Sequence, residues 1–257
     1  MTYPQPTSIL ITGATGGIGS ALAELYAAPG TTLILLGRSE PGLAGVASRC
    51  REKGSRVDTH RLDLRDRAAL SRLLGEICTA ERVDLAIVNA GINTNIGTDG
   101  SGERWDAVEE LLEVNVVATM ATVHAVLPAM RARGCGQIAL ISSLAAYYGL
   151  PLTPSYSASK AAIKVYGEAL RGWLAPEGIR VNVVMPGYVE SKMCREMPGP
   201  KPFLWTAERA ARVIRRGLAA DRPRISFPFP LNLGCWLLSV IHPSIAQRIL
   251  RLLDYHA

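Results

Sequence analysis

Tyr156 and Lys160 are the two residues of this chain whose types and spacing most directly suggest proton chemistry. They stand four positions apart within residues 155–160, which read SYSASK. On a helix, this spacing places a phenol and an ammonium group on the same face. A lysine ammonium stabilises a nearby phenolate, lowers the pKa of the tyrosine hydroxyl and lets it exchange a proton near neutral pH. Taken alone, the pair is equally consistent with two side chains that happen to share a helix.

A predicted strand, a glycine-rich turn and a predicted helix open the chain. Residues 8–11 form a short apolar run, residues 12–19 read TGATGGIG, and residues 21–26 repeat apolar side chains at helical spacing. This order places backbone N–H groups and a helix N-terminus where a pyrophosphate could bind. A glycine-rich turn by itself is weak evidence, but here it has the flanking strand and helix that a dinucleotide-binding motif requires.

Alternating strands and helices continue to about residue 186, which predicts a parallel sheet with right-handed crossovers. Gly13, Arg38, Asp63 and Asn89 follow four of the predicted strands. Ligands bind at the carboxyl ends of the strands in sheets of this kind. A polar residue directly after a strand is more often a turn former than a ligand contact. Four such residues at one edge nevertheless favour a binding site.

Arg38 indicates which dinucleotide this site prefers. It follows the second predicted strand, where a site for NAD usually has an acidic residue that binds the ribose 2′-hydroxyl. A guanidinium can instead pair with a 2′-phosphate, which a carboxylate would repel. The alternative is a solvated arginine after a strand. We therefore predict NADP(H) as the cofactor, with NAD less favoured.

Composition restricts the partners. The chain has 257 residues, a net charge of +6 and a pI near 9.2, which suits an anionic partner such as a phosphorylated cofactor, an acidic carrier or a membrane face. The arginines are dispersed and no nucleic-acid motif occurs, so no nucleic-acid partner is predicted. Four widely separated histidines give little support to a metal site, so none is predicted. Five scattered cysteines without a CxxC pair and an opening unlike a signal peptide predict a cytoplasmic protein.

The ordered set of motifs resembles the short-chain dehydrogenase/reductase family. It consists of TGATGGIG, the NAG at 89–91, Asn115, Ser143, the YSASK that contains Tyr156, and the PG at 186–187. The order and spacing match from about residue 8 to residue 191. Together with the strand–helix alternation, the resemblance implies an α/β fold in which residues 1–257 form one Rossmann-type domain, a doubly wound parallel sheet with helices on both faces.

The resemblance also implies roles for individual residues. Tyr156 would be the general acid or base, Lys160 would lower its pKa and bind the nicotinamide ribose, and Ser143 would polarise the substrate carbonyl. Asn115 would hold a water in a proton relay to Lys160. The residues implied to bind the cofactor are Gly13, Thr15, Gly17, Ile18, Gly19, Arg38, Asp63, Leu64, Asn89, Ala90, Gly91, Tyr156, Lys160, Pro186, Gly187, Val189 and Ser191. Among these, the glycines would line the pyrophosphate, Asp63 the adenine, and the loop from Pro186 to Ser191 the nicotinamide.

Two segments are predicted to shape the substrate site. Residues 192–205 are interpreted as a mobile substrate lid, and residues 227–257 as an apolar C-terminal extension. Residues 227–241 carry no charge, and this stretch is too short and too interrupted by prolines to span a bilayer. It either packs on the core or a second subunit, or forms an apolar lid or membrane-contacting patch for a lipid-like substrate. The apolar residues of the lid predict an apolar pocket: Met193, Met197, Phe203, Leu204 and Trp205.

Two departures from the family pattern bear on assembly and on substrate. Many members end in a glycine-rich strand that seals a tetramer, whereas this chain has Arg222 to Pro228 followed by the extension. A homodimer or homotetramer is still predicted. Reductases of β-ketoacyl carrier proteins tend to have a basic docking residue where this chain has Glu177, which argues against a carrier protein as partner.

The sequence thus predicts an NADPH-dependent oxidoreductase that interconverts a carbonyl and an alcohol on a small, apolar or lipid-like substrate. The alternatives are a β-ketoacyl-thioester reductase and a non-enzymatic NADP-binding or membrane-surface adaptor protein.

Overall fold

Seven parallel strands form the centre of the protein. The computed structural model describes residues 5–97, 100–197, 199–253 and 255. The strands lie in the order β3-β2-β1-β4-β5-β6-β7, and every neighbouring pair is parallel. Their bounds are β1 Ser8–Thr12, β2 Thr32–Gly37, β3 Arg56–Arg61, β4 Leu85–Val88, β5 Gly136–Ile141, β6 Ile179–Pro186 and β7 Arg224–Phe227.

Helices connect the strands and cover both faces of the sheet. A π-helical turn, Glu113–Val117, joins α4 to α5, and two 3₁₀ turns occur at Leu144–Ala146 and Ala175–Glu177. The α-helices are α1 Gly17–Tyr26, α2 Glu40–Arg51, α3 Arg67–Ala80, α4 Trp105–Leu112, α5 Ala118–Arg133, α6 Pro154–Leu174, α7 Lys192–Glu196, α8 Ala207–Ala219, α9 Leu231–Leu238 and α10 Pro243–Leu252.

The core lies in two layers, one on each face of the sheet. In β1, Ile9 and Ile11 pack into the layer that contains α1, α2 and α8, whereas Leu10 packs into the layer that contains α3, α5 and α6. Because both faces are covered, the central strands are continuous apolar runs, without the alternation of a half-exposed sheet. The predicted doubly wound parallel sheet with helices on both faces is confirmed.

The seventh strand was not predicted. From the sequence, Arg222 to Pro228 is only a departure from the glycine-rich end strand of the family, and no strand is predicted there. In the structure, Arg224–Phe227 pairs with the carboxyl half of β6. Ile225 and Phe227 are buried in the core, and they alternate with Arg224 and Ser226. This two-residue period is typical of a strand. The chain therefore has the edge strand but not the glycines.

A buried polar network connects β5 and β6 to the loop before β7. Asn182 in β6 is fully buried. Its Oδ1 accepts a hydrogen bond from Gln137 Nε2 at 2.7 Å, and its Nδ2 donates to Asp221 Oδ1 at 3.0 Å and to the Arg222 carbonyl at 2.7 Å. Arg171 also donates to both carboxylate oxygens of Asp221, at 2.9 Å each. A buried polar group is costly when it loses such partners.

Asn182→Leu should lower the free energy of unfolding by about 2 kcal/mol, because Gln137, Asp221 and the Arg222 carbonyl each lose a buried partner. Urea unfolding followed by tryptophan fluorescence measures the change. The double variant Asn182→Leu/Gln137→Leu controls for the network, since its loss should be smaller than the sum of the two single losses. Wild-type stability in Asn182→Leu would contradict this account.

Candidate active site

The carboxyl ends of the strands open into one cavity of about 1270 Å³. Of the residues predicted for the site, all but two line this cavity. The exceptions are Gly19, which is buried beneath the glycine-rich turn, and Asn115, which lies behind the wall. The convergence predicted for Gly13, Arg38, Asp63 and Asn89 is present at this edge of the sheet.

Close packing explains the glycines of the turn. Gly13 has φ +65°, and a Cβ there would lie 2.8 Å from the Ala90 Cα. A Cβ on Gly17 would lie 2.5 Å from the Glu190 carbonyl oxygen, and one on Gly19 would lie 2.3 Å from the Gly13 carbonyl oxygen. Gly19 therefore lets helix α1 pack against the turn, whereas the other two glycines border the cavity itself.

The N-terminus of α1 faces the cavity. Gly16 is its N-cap residue, no side chain caps the helix, and Gly16, Gly17 and Ile18 line the cavity. The first N–H groups of a helix lack partners within the helix and carry partial positive charge, which suits an anion. This end of the cavity therefore fits a dinucleotide pyrophosphate.

Asn89 holds the end of β4 against the turn. Its Nδ2 donates to the carbonyls of Thr12 at 3.1 Å and Gly13 at 3.0 Å. The Thr12 hydroxyl in turn accepts from the backbone N–H groups of Asn89 and Ala90, at 3.0 and 3.2 Å. Thr12 is not among the predicted site residues, although it opens the glycine-rich motif. These contacts fix the floor of the cavity.

Ser143, Tyr156 and Lys160 come together on the cavity wall below the ends of β5 and β6. Lys160 Nζ lies 5.6 Å from the centroid of the Tyr156 ring and donates to the Ile141 carbonyl at 3.1 Å. The Ser143 hydroxyl is hydrogen-bonded to Tyr156. The Ser142 hydroxyl donates to the Lys160 carbonyl at 2.7 Å, which fastens α6 to the strand end.

Burial determines the protonation of this group. It raises the pKa of Tyr156, and the hydrogen bond with Ser143 opposes this only in part. Burial also lowers the pKa of Lys160 to about 8. Removal from water disfavours the charged form of both groups, so the net direction of the Tyr156 pKa is upward and not the lowering expected from Lys160 alone. The role of Lys160 toward the phenolate stays a prediction. At neutral pH the Tyr156 hydroxyl keeps its proton.

Asn115 occupies the π-helical turn and is almost fully buried. Its Oδ1 accepts from the Ile92 N–H at 2.8 Å, and its Nδ2 donates to the Ile92 carbonyl at 2.9 Å and to Ser159 Oγ at 3.1 Å. The side chain thus connects the segment after β4 to α6. Its role in a water relay stays a prediction.

Four charged side chains meet at the end of the cavity beyond β2 and β3. Arg65 donates from Nε to Asp63 Oδ1 at 3.0 Å and from Nη2 to Asp63 Oδ2 at 2.6 Å, and these hydrogen bonds lower the pKa of the Asp63 carboxyl. Glu110 of α4 lies 3.2 Å from Arg65 Nη1 and 3.6 Å from Arg38 Nη1. Arg65 and Glu110 are not among the predicted site residues, because no sequence motif links α4 to these strand ends.

The opposite end of the cavity is mainly apolar. Residues of the predicted C-terminal extension form much of its wall: Leu231, Gly234, Cys235, Leu237, Leu238, Ile241, Ile249, Leu250, Leu253 and Tyr255. The Tyr255 hydroxyl, 2.7 Å from the Tyr188 hydroxyl, donates to the Pro200 carbonyl at 2.9 Å. Of the extension, residues 254, 256 and 257 lie outside the described residues.

Only the first part of the predicted lid lines the cavity, including Met193 and Met197. Trp205 instead stacks on Phe227 with 5.1 Å between ring centroids, and Phe203 and Leu204 are exposed. The expectation that Phe203, Leu204 and Trp205 contribute to an apolar pocket is therefore wrong for this structure. Residue 198 of this segment is outside the described part of the chain.

Within the residues that the structure describes, no group of three His, Cys, Asp or Glu side chains could hold a metal ion. The arrangement provides a helix end that suits an anion, a charged pocket, the hydroxyls of half-buried Ser143 and buried Tyr156 with the amine of Lys160, and an apolar wall within one cavity.

Replacing Lys160 should change how stability depends on pH. Its folded pKa, about 8, lies below the usual lysine value of 10.5. The unfolded chain then binds more protons between these values, so the wild-type protein gains stability as the pH rises from about 8 to about 10.5. Lys160→Met should lack this gain, which amounts to about 2–3 kcal/mol.

Urea unfolding of the cofactor-free proteins at pH 7 and pH 10 measures this difference. Lys164→Met, on the same helix, controls for the loss of a lysine side chain. Parallel pH profiles for the wild type and Lys160→Met would show that burial of Lys160 does not determine its protonation.

Comparison with known proteins agrees with this fold. The model of the short chain dehydrogenase family matches residues 7–200. An uncharacterised oxidoreductase of Myxococcus xanthus is 33% identical over 233 residues, which cover 90% of this chain and 91% of that protein. The ketoacyl reductase HetN of Nostoc sp. is 33% identical over 190 residues, 74% of this chain and 66% of that one. A short-chain dehydrogenase from Sphingobium yanoikuyae, solved in complex with NADPH, superposes with a TM-score of 0.80 at 26% identity over 95% of both chains. The chain thus belongs to the short-chain dehydrogenase/reductase family of oxidoreductases.

Proposed function

We propose that this protein is an NADPH-dependent oxidoreductase that interconverts a carbonyl and an alcohol on an apolar substrate. One observation carries the proposal. The Ser143–Tyr156–Lys160 group lies in the wall of a single cavity whose one end suits a phosphorylated dinucleotide and whose other end is apolar.

The residues of the chain suit the reduction of a carbonyl. The nicotinamide cofactor supplies the hydride to the carbonyl carbon when bound. The Ser143 hydroxyl donates a hydrogen bond to the carbonyl oxygen, and the Tyr156 hydroxyl gives that oxygen its proton, which completes the alcohol. Because burial raises the Tyr156 pKa, the hydroxyl remains protonated and available as the acid at neutral pH. Lys160, charged below pH about 8, stabilises the phenolate that forms.

The cavity wall supports an apolar substrate. Leu231, Leu238, Ile241, Ile249 and Leu250 line the end beyond the candidate catalytic residues. Such a surface favours hydrocarbon over a charged group, because it offers a charge no compensating partner. The cavity is large enough for a bulky ketone or a long-chain aldehyde.

A β-ketoacyl thioester is the second candidate substrate, favoured by the similarity to the ketoacyl reductase HetN. Glu177, the residue that argued against a carrier protein, accepts two hydrogen bonds from Arg131, at 2.6 and 2.7 Å. At this position an acidic carrier protein would therefore meet the Arg131–Glu177 ion pair, and not the unpaired basic residue that docks it. A non-enzymatic adaptor has less support, since the complete catalytic group is present. Homo-oligomerisation and a cytoplasmic location stay predictions.

Tyr156→Phe should lower turnover by about 10³-fold or more while NADPH affinity changes little, because only the proton donor is removed. NADPH oxidation is measured against steroid-like ketones, long-chain aldehydes, β-ketoacyl thioesters and small diketones. Tyr166→Phe on the same helix is the matched control. A signal that survives in Tyr156→Phe would contradict the catalytic assignment, and a signal on thioesters alone would favour the second substrate class.

The preference for NADPH rests on Arg38 and Ser39, which line the charged end of the cavity. A 2′-phosphate placed there would gain the Arg38 guanidinium and would lie near the Glu110 carboxylate, which shares it. The two side chains therefore act in opposite directions on cofactor selection.

Arg38→Gln should weaken NADPH binding by about tenfold and leave NADH binding nearly unchanged, since NADH lacks the 2′-phosphate. Glu110→Gln should strengthen NADPH binding by about threefold to fivefold, because one repulsive charge is lost. Isothermal titration of both cofactors measures these changes. Arg61→Gln, an exposed arginine at the next strand end, controls for net charge. Equal effects on NADPH and NADH would contradict the assignment.

A further inference from the structure

The two C-terminal helices present an exposed apolar surface. Helix α9 is composed almost entirely of apolar residues, yet none of them is buried. Val240 is 59% exposed and Leu252 is 84% exposed. We call this surface the α9–α10 face and define it by its exposed residues, Leu233, Trp236, Leu237, Val240, Ile245, Leu252 and Leu253. Contiguous apolar exposure of this kind marks an interaction site.

Among the described residues of α9 and α10, the charged side chains are all basic. Residues 222–253 contain no Asp or Glu. Arg248 and Arg251 are exposed on α10, among the apolar residues of the face. The whole chain carries a net charge of +6. An occupant of the face must therefore offer apolar surface together with negative charge.

The face borders the mouth of the cavity. Leu237 and Leu253 line the cavity and are also exposed, 44% and 55%, so they lie at its rim. Ile241, Ile249 and Leu250 continue the apolar lining inward. Apolar surface is thus continuous from the outside of the protein into the proposed substrate site.

We propose that the α9–α10 face docks the protein on the surface of a bilayer that contains anionic phospholipids. The two helices lie in the interface, their apolar side chains reach the acyl chains, and Arg248 and Arg251 pair with lipid phosphates. The mouth of the cavity then opens toward the hydrocarbon, from which an apolar carbonyl compound enters.

The helices lie on the membrane and do not cross it. Helix α9 has eight residues and α10 has ten, whereas a spanning helix needs about 20. Among the described residues, one helical stretch, Trp105–Arg133, is long and apolar enough to span. Half of its most apolar window is buried inside the protein, and it supplies Val123, Val126 and Met130 to the core.

A second copy of the chain is a poorer occupant than an anionic membrane. Two α9–α10 faces packed on each other would bring Arg248 and Arg251 of both copies together. No carboxylate within residues 222–253 could pair with these arginines. Like charges in an interface without partners disfavour association.

Vesicle sedimentation of the purified full-length protein, without cofactor or substrate, tests the proposal. Phosphatidylcholine vesicles with and without phosphatidylserine are compared. We expect sedimentation with the anionic vesicles that weakens as salt is raised. The double variant Arg248→Gln/Arg251→Gln should lower the partition coefficient by about 30-fold. Its matched control is Arg67→Gln/Arg72→Gln, two exposed arginines on α3 that give the same change in net charge.

The apolar part of the face is tested with Trp236→Ser/Val240→Ser, which should also lower partitioning, against Trp105→Ser, an exposed tryptophan on α4. Circular dichroism confirms that each variant is folded.

Equal binding by all arginine variants, or no sedimentation with either vesicle, would overturn the proposal. So would a stable oligomer in analytical ultracentrifugation that Trp236→Ser/Val240→Ser dissociates, because the face would then belong to a second copy. Vesicle binding requires no turnover, so its failure leaves the proposed reaction to be judged by NADPH oxidation alone.

Discussion

Removal of Tyr156 and Lys160 from water is the constraint on which the site depends. Both side chains are buried, and burial opposes the charged form of each. The structure compensates with fixed polar contacts: the Ile141 carbonyl accepts from Lys160, and Ser142 donates to the backbone of α6. These contacts hold the phenol and the amine at one place on the wall. An enzyme that needs a protonated acid at neutral pH benefits from this arrangement, since the same burial keeps the proton on the hydroxyl.

The cavity combines two unlike environments. At one end, Arg38, Asp63, Arg65 and Glu110 form an exposed group of alternating charges. At the other end, the wall comes from aliphatic residues of the last two helices. A ligand with an anionic part and a separate apolar ligand would therefore favour different ends of the same cavity. The candidate catalytic group, Ser143, Tyr156 and Lys160, lines the same cavity.

Much of the fold and of the cofactor end of the site was predictable from the sequence, because local features determine them. The glycine-rich turn, the strand ends that bear Arg38 and Asn89, and the spacing of Tyr156 and Lys160 are each set within a few residues. The family resemblance added Ser143 and Asn115. Strand β7 was not predicted because Pro223 and Pro228 flank it and made the segment resemble a loop. Its side chains nevertheless alternate as a strand requires.

The remaining features depend on contacts between distant segments. The direction of the Tyr156 pKa follows from burial against Leu111 and Ala145, which sequence spacing does not reveal. Glu110 reaches Arg38 only because α4 passes over the ends of β2 and β3. The stacking of Trp205 on Phe227, which removes it from the predicted pocket, likewise joins two segments that no motif connects.

The hydrogen bonds of Tyr255 have a consequence for how the site is assembled. The Tyr255 hydroxyl is hydrogen-bonded both to the Tyr188 hydroxyl and to the Pro200 carbonyl. Tyr188 lines the same cavity as the candidate catalytic residues. The residues of the nucleotide end all precede residue 192, whereas the apolar wall begins at Leu231. The ribosome therefore synthesises every residue of the nucleotide end before it reaches the segment that forms the apolar wall. The two halves of the site are separated in the time of synthesis as well as in space.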